Sequence, residues 1–226
     1  MCGRYTITVT LEELMLRFHL DMPTIKYHIP RYNVAPMQQV MAIVHDGEHN
    51  RIGELRWGLV PSWAKDAKSA ASMINARSET LLEKPAFKSL IHRKRCLIPA
   101  DGFYEWKKEG TAKQPMRIVM KDRDIFSMAG LYDTWLSQDG TKISTCTIIT
   151  TAPNRLVEPI HNRMPVILRP EDEQTWLNRS NPDVGLLMSL LKPYDDREMS
   201  VYPVSSTVGN VKNDSEDCIE EVPSLF

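Results

Sequence analysis

The group with the greatest chemical potential stands at the head of the chain, where Cys2 follows Met1 directly. Removal of an initiator methionine is favoured before a small residue, so the expected mature chain begins with a free α-amine beside a thiol. An α-amine with a pKa of about 7.7–8.0 is roughly 10 to 17% neutral at pH 7, whereas a lysine near 10.4 is neutral only about 0.04% of the time. Such an aminothiol condenses with an aldehyde to an imine, and the neighbouring sulfur then closes a five-membered thiazolidine, helped by intramolecular proximity. Further on, Asn75 and Arg77 in MINARSET are two positions apart, as are His161 and Arg163 in PIHNRMPV. On extended backbone each pair shares a face. Glu105 in DGFYEWKK lies between Phe103 and Trp106, bulky neighbours expected to raise its pKa and let it both give and take protons. Singly, each type has an ordinary structural use, as a plain second residue, a hydrogen-bonded His or Glu, or a solvated Arg. Their joint occurrence with Cys2 carries the chemical reading.

Basic residues cluster locally at Lys84, Lys88, Arg93, Lys94, Arg95, Lys107 and Lys108, with Arg4 beside the candidate nucleophile. Trp57, Trp63, Phe103 and Trp106 are interspersed among them. Positive charge along a phosphate backbone, together with aromatic faces for stacking, is what a single-strand groove requires. The alternative is a solvated basic face beside core aromatics, and Trp57 in the apolar RWGLVP run is expected to be core. Cys96 and Cys146 lie in apolar, strand-like runs and are expected to be small buried hydrophobes, while Cys218 sits in an acidic tail. None of the four cysteines forms a C-x-x-C pair or lies at zinc-ligand spacing from a His, so neither a metal nor another cofactor is expected.

The 226 residues are 42% hydrophobic and 25% charged, near globular averages, which argues against a disordered, collagen-like or coiled-coil chain. A formal charge of −1 leaves no global attraction to polyanions, so any nucleic-acid site must be a local patch. No apolar stretch approaches the ~20 residues that span a bilayer, and the chain is expected to be soluble, cytoplasmic and non-secreted.

These groups need elements to position them. Thr10 and Glu13 form a capping-box pattern ahead of Leu11, Leu14, Met15 and Phe18 at helical spacing, predicting a helix from near Thr10. Strands are expected over Val40 to Val44, Ile52 to Trp57, Cys96 to Pro99, Met116 to Met120, Ile125 to Leu131, Ile143 to Thr150 and Met199 to Val204. Two late helices should begin around Pro170 and Pro182, each read as a first-turn proline. Strands mostly precede these helices without βαβ alternation, which favours an α+β domain. No repeat or linker divides residues 1–226, and the acidic tail, residues 214–226, is expected to be poorly ordered.

In order along the chain, MCGRY, RYNVAP, RWGLVPSW, INARSET, RCLIPADGFYEWKK, TIITTAPN, IHNRMPVIL and VGNVKND resemble the SOS-response-associated peptidase (SRAP) family. The resemblance implies one β-rich domain of bifurcated sheets arranged as a pseudo-barrel, with a basic groove for single-stranded DNA. It further implies a monomeric, cofactor-free protein that recognises abasic sites and shields them through a covalent crosslink to the mature N-terminal cysteine, with associated lyase and peptidase activities. By motif match Cys2 is the nucleophile and Asn75 positions the abasic sugar or the amine. Arg77 and Arg163 hold flanking phosphates together with Arg4. Glu105 shuttles protons during ring opening and amine attack, His161 acts in dehydration and imine resolution, and Trp63 and Trp106 wedge or stack near the lesion. When bound to DNA such a protein would be nucleoid-associated. Two other readings remain open: an N-terminal-nucleophile amidase or glutamine amidotransferase, which also begins with cysteine, and a non-catalytic reader of single-stranded or modified DNA.

Overall fold

Thr10 initiates the first helix as its sequence demands: its hydroxyl accepts the Glu13 N–H while the Glu13 carboxylate accepts the Thr10 N–H. The computed structural model describes residues 2–20 and 28–225. In chain order the elements are β1 (Tyr5–Ile7), α1 (Leu11–Arg17), β2 (Arg31–Val34), β3 (Gln39–His45), β4 (Asn50–Trp57), β5 (Asn75–Arg77), α2 (Pro85–Lys88), α3 (Leu90–Arg93) and β6 (Arg95–Ala100). There follow β7 (Gly102–Glu109), β8 (Ala112–Met120), β9 (Phe126–Leu136), β10 (Lys142–Thr151), β11 (Met164–Pro165), β12 (Ile167–Leu168), α4 (Pro170–Leu177), α5 (Val184–Ser189) and β13 (Met199–Pro203).

The strands make two sheets. In one, β10, β4, β3, β6 and β9 follow one another, and β9 pairs again with β10, closing a five-stranded barrel. Closure removes the open edges that a flat sheet would leave unpaired. Most pairings are antiparallel, but β4 and the short β5 both run parallel to β10. The barrel's strands are buried on both faces: Ile43, Ile52 and Leu131 on one and Ile98 and Cys146 on the other are each 0% exposed. The second sheet has the order β13-β8-β7-β1-β2. The fold is thus β-rich with a few short helices, a pseudo-barrel built from bifurcated sheets.

A buried polar lock fastens β1 into the second sheet. Asp101 accepts from the Thr6 hydroxyl at 2.5 Å, from the Thr8 N–H at 3.0 Å and from Arg117 Nη2 at 3.3 Å. Arg117 also donates to Thr6 Oγ1 and to the Tyr202 hydroxyl, joining β1, β8 and β13. Gly102 is required here by close approach: a Cβ would stand 2.7 Å from Arg117 Nε and 2.9 Å from Thr6 Oγ1.

Three expectations are revised. Pro182 precedes the cap rather than entering the helix, because Asp183 caps α5 by accepting the Leu186 N–H. The acidic tail is packed: Asp214 accepts the Tyr32 and Asn33 N–H groups and pairs with Arg31, Cys218 is 1% exposed, and Glu221 bridges Val204. Arg95 does not belong to a basic surface. It is 2% exposed and donates to the carbonyls of Ile91, Trp176 and Asn178 at the ends of α3 and α4, where unsatisfied carbonyls favour a cation. Among the described residues no helix is long and apolar enough to cross a membrane.

Arg95→Met should remove the Arg95 donors from the buried Ile91 and Trp176 carbonyls and cost about 3 kcal/mol, lowering the melting temperature by roughly 6–12 °C. Calorimetry checks this, and an unchanged melting temperature would contradict the structural role.

Candidate active site around Cys2 and Glu105

The pairing of β1 with β7 sets the site. Tyr5 stands opposite Phe103 and Thr6 opposite Gly102, and the Tyr104 N–H donates to the Arg4 carbonyl at 3.0 Å. Residues 2–4 therefore run on alongside the part of β7 that carries Glu105. Alternation along β7 sends Phe103 to the main core, where Cys2 and Tyr5 also pack, and Tyr104 to a second cluster with Val119, Tyr202 and Cys218. Glu105 shares the Phe103 side by the same period, and it is 3% exposed. Burial pushes its pKa up to about 8, so at neutral pH the carboxyl is mainly protonated. Cys2 is 0% exposed, and burial, then the Glu105 carboxylate, push its thiol far up. The sulfur is a neutral thiol in this state.

His161 approaches Glu105 from the segment before β11, with Nδ1 3.9 Å from Glu105 Oε1. The expectation of extended backbone over His161–Arg163 gives way to a tight local turn. There His161 Nδ1 lies 3.1 Å from the Arg163 N–H and 3.2 Å from the Arg163 carbonyl oxygen. Burial lowers the imidazole pKa, leaving the ring neutral. The Arg163 guanidinium is itself engaged: it grips Glu79 through Nη1 at 2.6 Å and Nη2 at 2.9 Å, and Nη2 donates to the Thr150 carbonyl at 2.6 Å.

Asn75 and Arg77 do share a face of β5, with Ala76 buried behind them. Asn75 Nδ2 reaches the Ile148 carbonyl at 3.5 Å, while its buried Oδ1 has no hydrogen-bond partner among the described residues. The segment is tied to the Cys2 side through Trp57, whose Nε1 donates to the Ile74 carbonyl at 2.8 Å and whose ring packs on Tyr5 at 5.5 Å. Trp57 is 0% exposed, the core residue it was expected to be. Exposed Arg77 opens with Asn75 onto a cleft of about 570 Å³ lined also by Trp63, Met73, Lys84 and Phe87. Trp63 is 65% exposed.

Glu105, within electrostatic reach of Cys2, leads through His161 to Arg163, and Arg163 through Glu79 and Thr150 to β5, with Trp63 along the cleft beside Asn75 and Arg77. Two candidates are not brought to that side. Trp106 packs against the second cluster, with the Arg4 guanidinium 5.9 Å above its ring. Arg4 is committed to Asn33 Oδ1 at 2.8 Å and to the Val208 and Gly209 carbonyls, an internal strut for the chain's last segment. Sequence reasoning missed Glu79 and Thr150. Glu79 repeats the two-residue spacing that relates Asn75 to Arg77, whereas nothing in the sequence marks a backbone carbonyl as a ligand. Among the described residues no cluster of His, Cys, Asp and Glu could hold a metal ion.

Comparison with known proteins establishes the family. YoqW of Bacillus subtilis (strain 168), named an abasic site processing protein, is 52% identical over 223 residues, covering 97% of this chain and 99% of its own. YedK of Escherichia coli (strain K12), which carries the same description, is 33% identical and covers 98% of this chain and 100% of its own. A crystal structure of a protein from Bacteroides thetaiotaomicron superposes with a TM-score of 0.86 at 30% identity, covering 98% and 100% of the two chains. The family described as SOS response associated peptidase (SRAP) matches residues 1–211, and with these relatives over nearly its whole length the chain belongs to that family.

Proposed function

We propose that this protein processes abasic sites in single-stranded DNA by trapping the open-chain sugar aldehyde on Cys2 after Met1 has been removed. The observation that carries the reading is the meeting of an N-terminal thiol, a buried carboxyl with a pKa of about 8 and a neutral imidazole. That set suits an aldehyde and an amine reacting near neutral pH.

The protonated Glu105 gives its proton to the ring oxygen of the abasic deoxyribose as the C1′–O bond breaks, and takes back the proton that the anomeric hydroxyl loses in becoming the aldehyde. The α-amine of Cys2 adds to the aldehyde carbon, forming a carbinolamine, and Glu105 and His161 move the protons that let its hydroxyl leave as water. The thiol then adds across the imine: sulfur bonds to carbon and the thiol proton ends on nitrogen. The product is a thiazolidine, heavier than the protein by the sugar-bearing strand less one water. Closing the ring consumes the imine that would otherwise lead to β-elimination and strand cleavage, so the linkage protects the lesion. Asn75, which lines the cleft and whose buried Oδ1 has no partner among the described residues, orients the sugar or the amine, while Arg77 and Trp63 receive the adjoining phosphate and base. Peptidase activity, on this reading, is the release of Met1 or of the protein from DNA.

Single-stranded DNA with one abasic site should give a denaturation-resistant shifted band, lost in Cys2→Ala and in protein whose N-terminal amine is blocked. A band formed equally by the blocked protein sinks the aminothiol mechanism, and glutamate release from glutamine without a band favours the amidase. The rate of crosslinking should be bell-shaped in pH. It rises as the amine loses its proton near a pKa of about 8, and falls as Glu105 ionises through about 8. Glu105→Gln should be slower and lack the alkaline fall; a retained fall assigns that limb to another group. Arg77→Ala should weaken binding of single strands and flatten the salt slope by about 0.7, measured by anisotropy across a salt series.

A further inference from the structure

Glu79 is used neither by the motif spacing nor by the proposed chemistry, yet its carboxylate covers both terminal nitrogens of Arg163. The Arg163 side chain is 15% exposed and that of Glu79 is 49% exposed, so the acid is the outer member of the pair. A guanidinium presents the same planar fork to a carboxylate and to a phosphate. The fork is also anchored from within, because Nη2 donates to the carbonyl of Thr150, the residue that pairs with Arg77 across β5 and β10. Removing the acid therefore leaves the guanidinium held by β10. The Arg77 side chain makes no hydrogen bond or ion pair to the described residues and is exposed two positions from Glu79.

We infer that Glu79 is a specificity-determining residue that stands in for a phosphate on Arg163 and must be displaced before Arg163 can hold a nucleic-acid backbone. This rests on the reading of the site as a single-strand groove, and it assigns Arg163 two exclusive partners. Displacement weakens every reversible complex alike, damaged or not. A strand captured covalently no longer depends on that equilibrium, so the acid suppresses occupancy by intact DNA more than it suppresses the final yield at a lesion.

The test uses an unmodified oligothymidylate, which has no aldehyde and so reports only the groove. By anisotropy in a salt series, Glu79→Gln should bind it roughly threefold to tenfold more tightly at low salt, with a slope steeper by up to about 0.7. Equal or weaker binding by a variant that melts like the parent protein overturns the inference. If the variant melts early, carboxyl-carbon NMR of the unaltered protein decides. In the free protein the Arg163 hydrogen bonds hold the Glu79 pKa below its ordinary value, and saturation with the oligothymidylate should return it to the usual range. An unmoved value in the saturated complex overturns the inference. Tight oligothymidylate binding without any crosslink to an abasic strand fails the aldehyde chemistry alone, whereas no oligothymidylate binding at low salt fails the groove and this inference together.

Discussion

A chain end is ordinarily the least constrained part of a domain, and here it is held by the carboxylate of Asp101. β1 has three residues, yet it lies between β2 and β7 with side chains 0–2% exposed. So short a strand gains little from its own ladder. Asp101 adds charge-assisted bonds to Thr6 and Thr8 and is itself paired with Arg117, all in a buried setting where breaking one partner leaves the other uncompensated. Cys2 stands three residues before Tyr5, and its position beside Glu105 follows from that register. Loosening Asp101 would free the whole leading segment.

The burial that positions these groups also fixes their protonation. Glu105 is desolvated because β7 turns it toward the main core, and the folded carboxyl keeps its proton up to about 8 rather than 4.5. Between those values the folded state binds the extra proton, so stability falls as pH rises from 4.5 through about 8. The same burial disfavours a charged imidazole at His161. An uncharged acid next to an uncharged base is the arrangement that proton transfer near neutrality needs, and the fold sustains it at some cost to stability.

Much of the frame was legible because its strands are long, apolar and bounded by turn residues: the expected runs fall within or across β3, β4, β6, β8, β9, β10 and β13. The strands that build the site were harder to see. β1 and β5 have three residues each, too few for a period to register. β7 carries Glu105, but apolar residues occupy both of its faces, because Phe103 joins one core and Tyr104 another; alternation in hydrophobicity, the usual strand signal, is absent. The two-residue spacing of Asn75 and Arg77 translated into a shared face. The same spacing at His161 and Arg163 became a turn, since the side chain of one bonds the backbone of the other.

Charge was the least legible property, because a cation's role depends on where its hydrogen bonds go. Arg4, Arg95 and Arg117 are committed to protein carbonyls, hydroxyls and carboxylates in the interior, and composition counts them exactly as it counts a phosphate-binding arginine. Excluding them removes the impression of a broad basic face and leaves a narrower one. Along the cleft, Arg77 and Lys84 are exposed beside a tryptophan that leaves 65% of its surface in water. A large aromatic left in solvent beside cations gains nothing for folding. On the proposed reading, that tryptophan and those cations meet a ligand that offers both a stacking face and negative charge, as a single strand does.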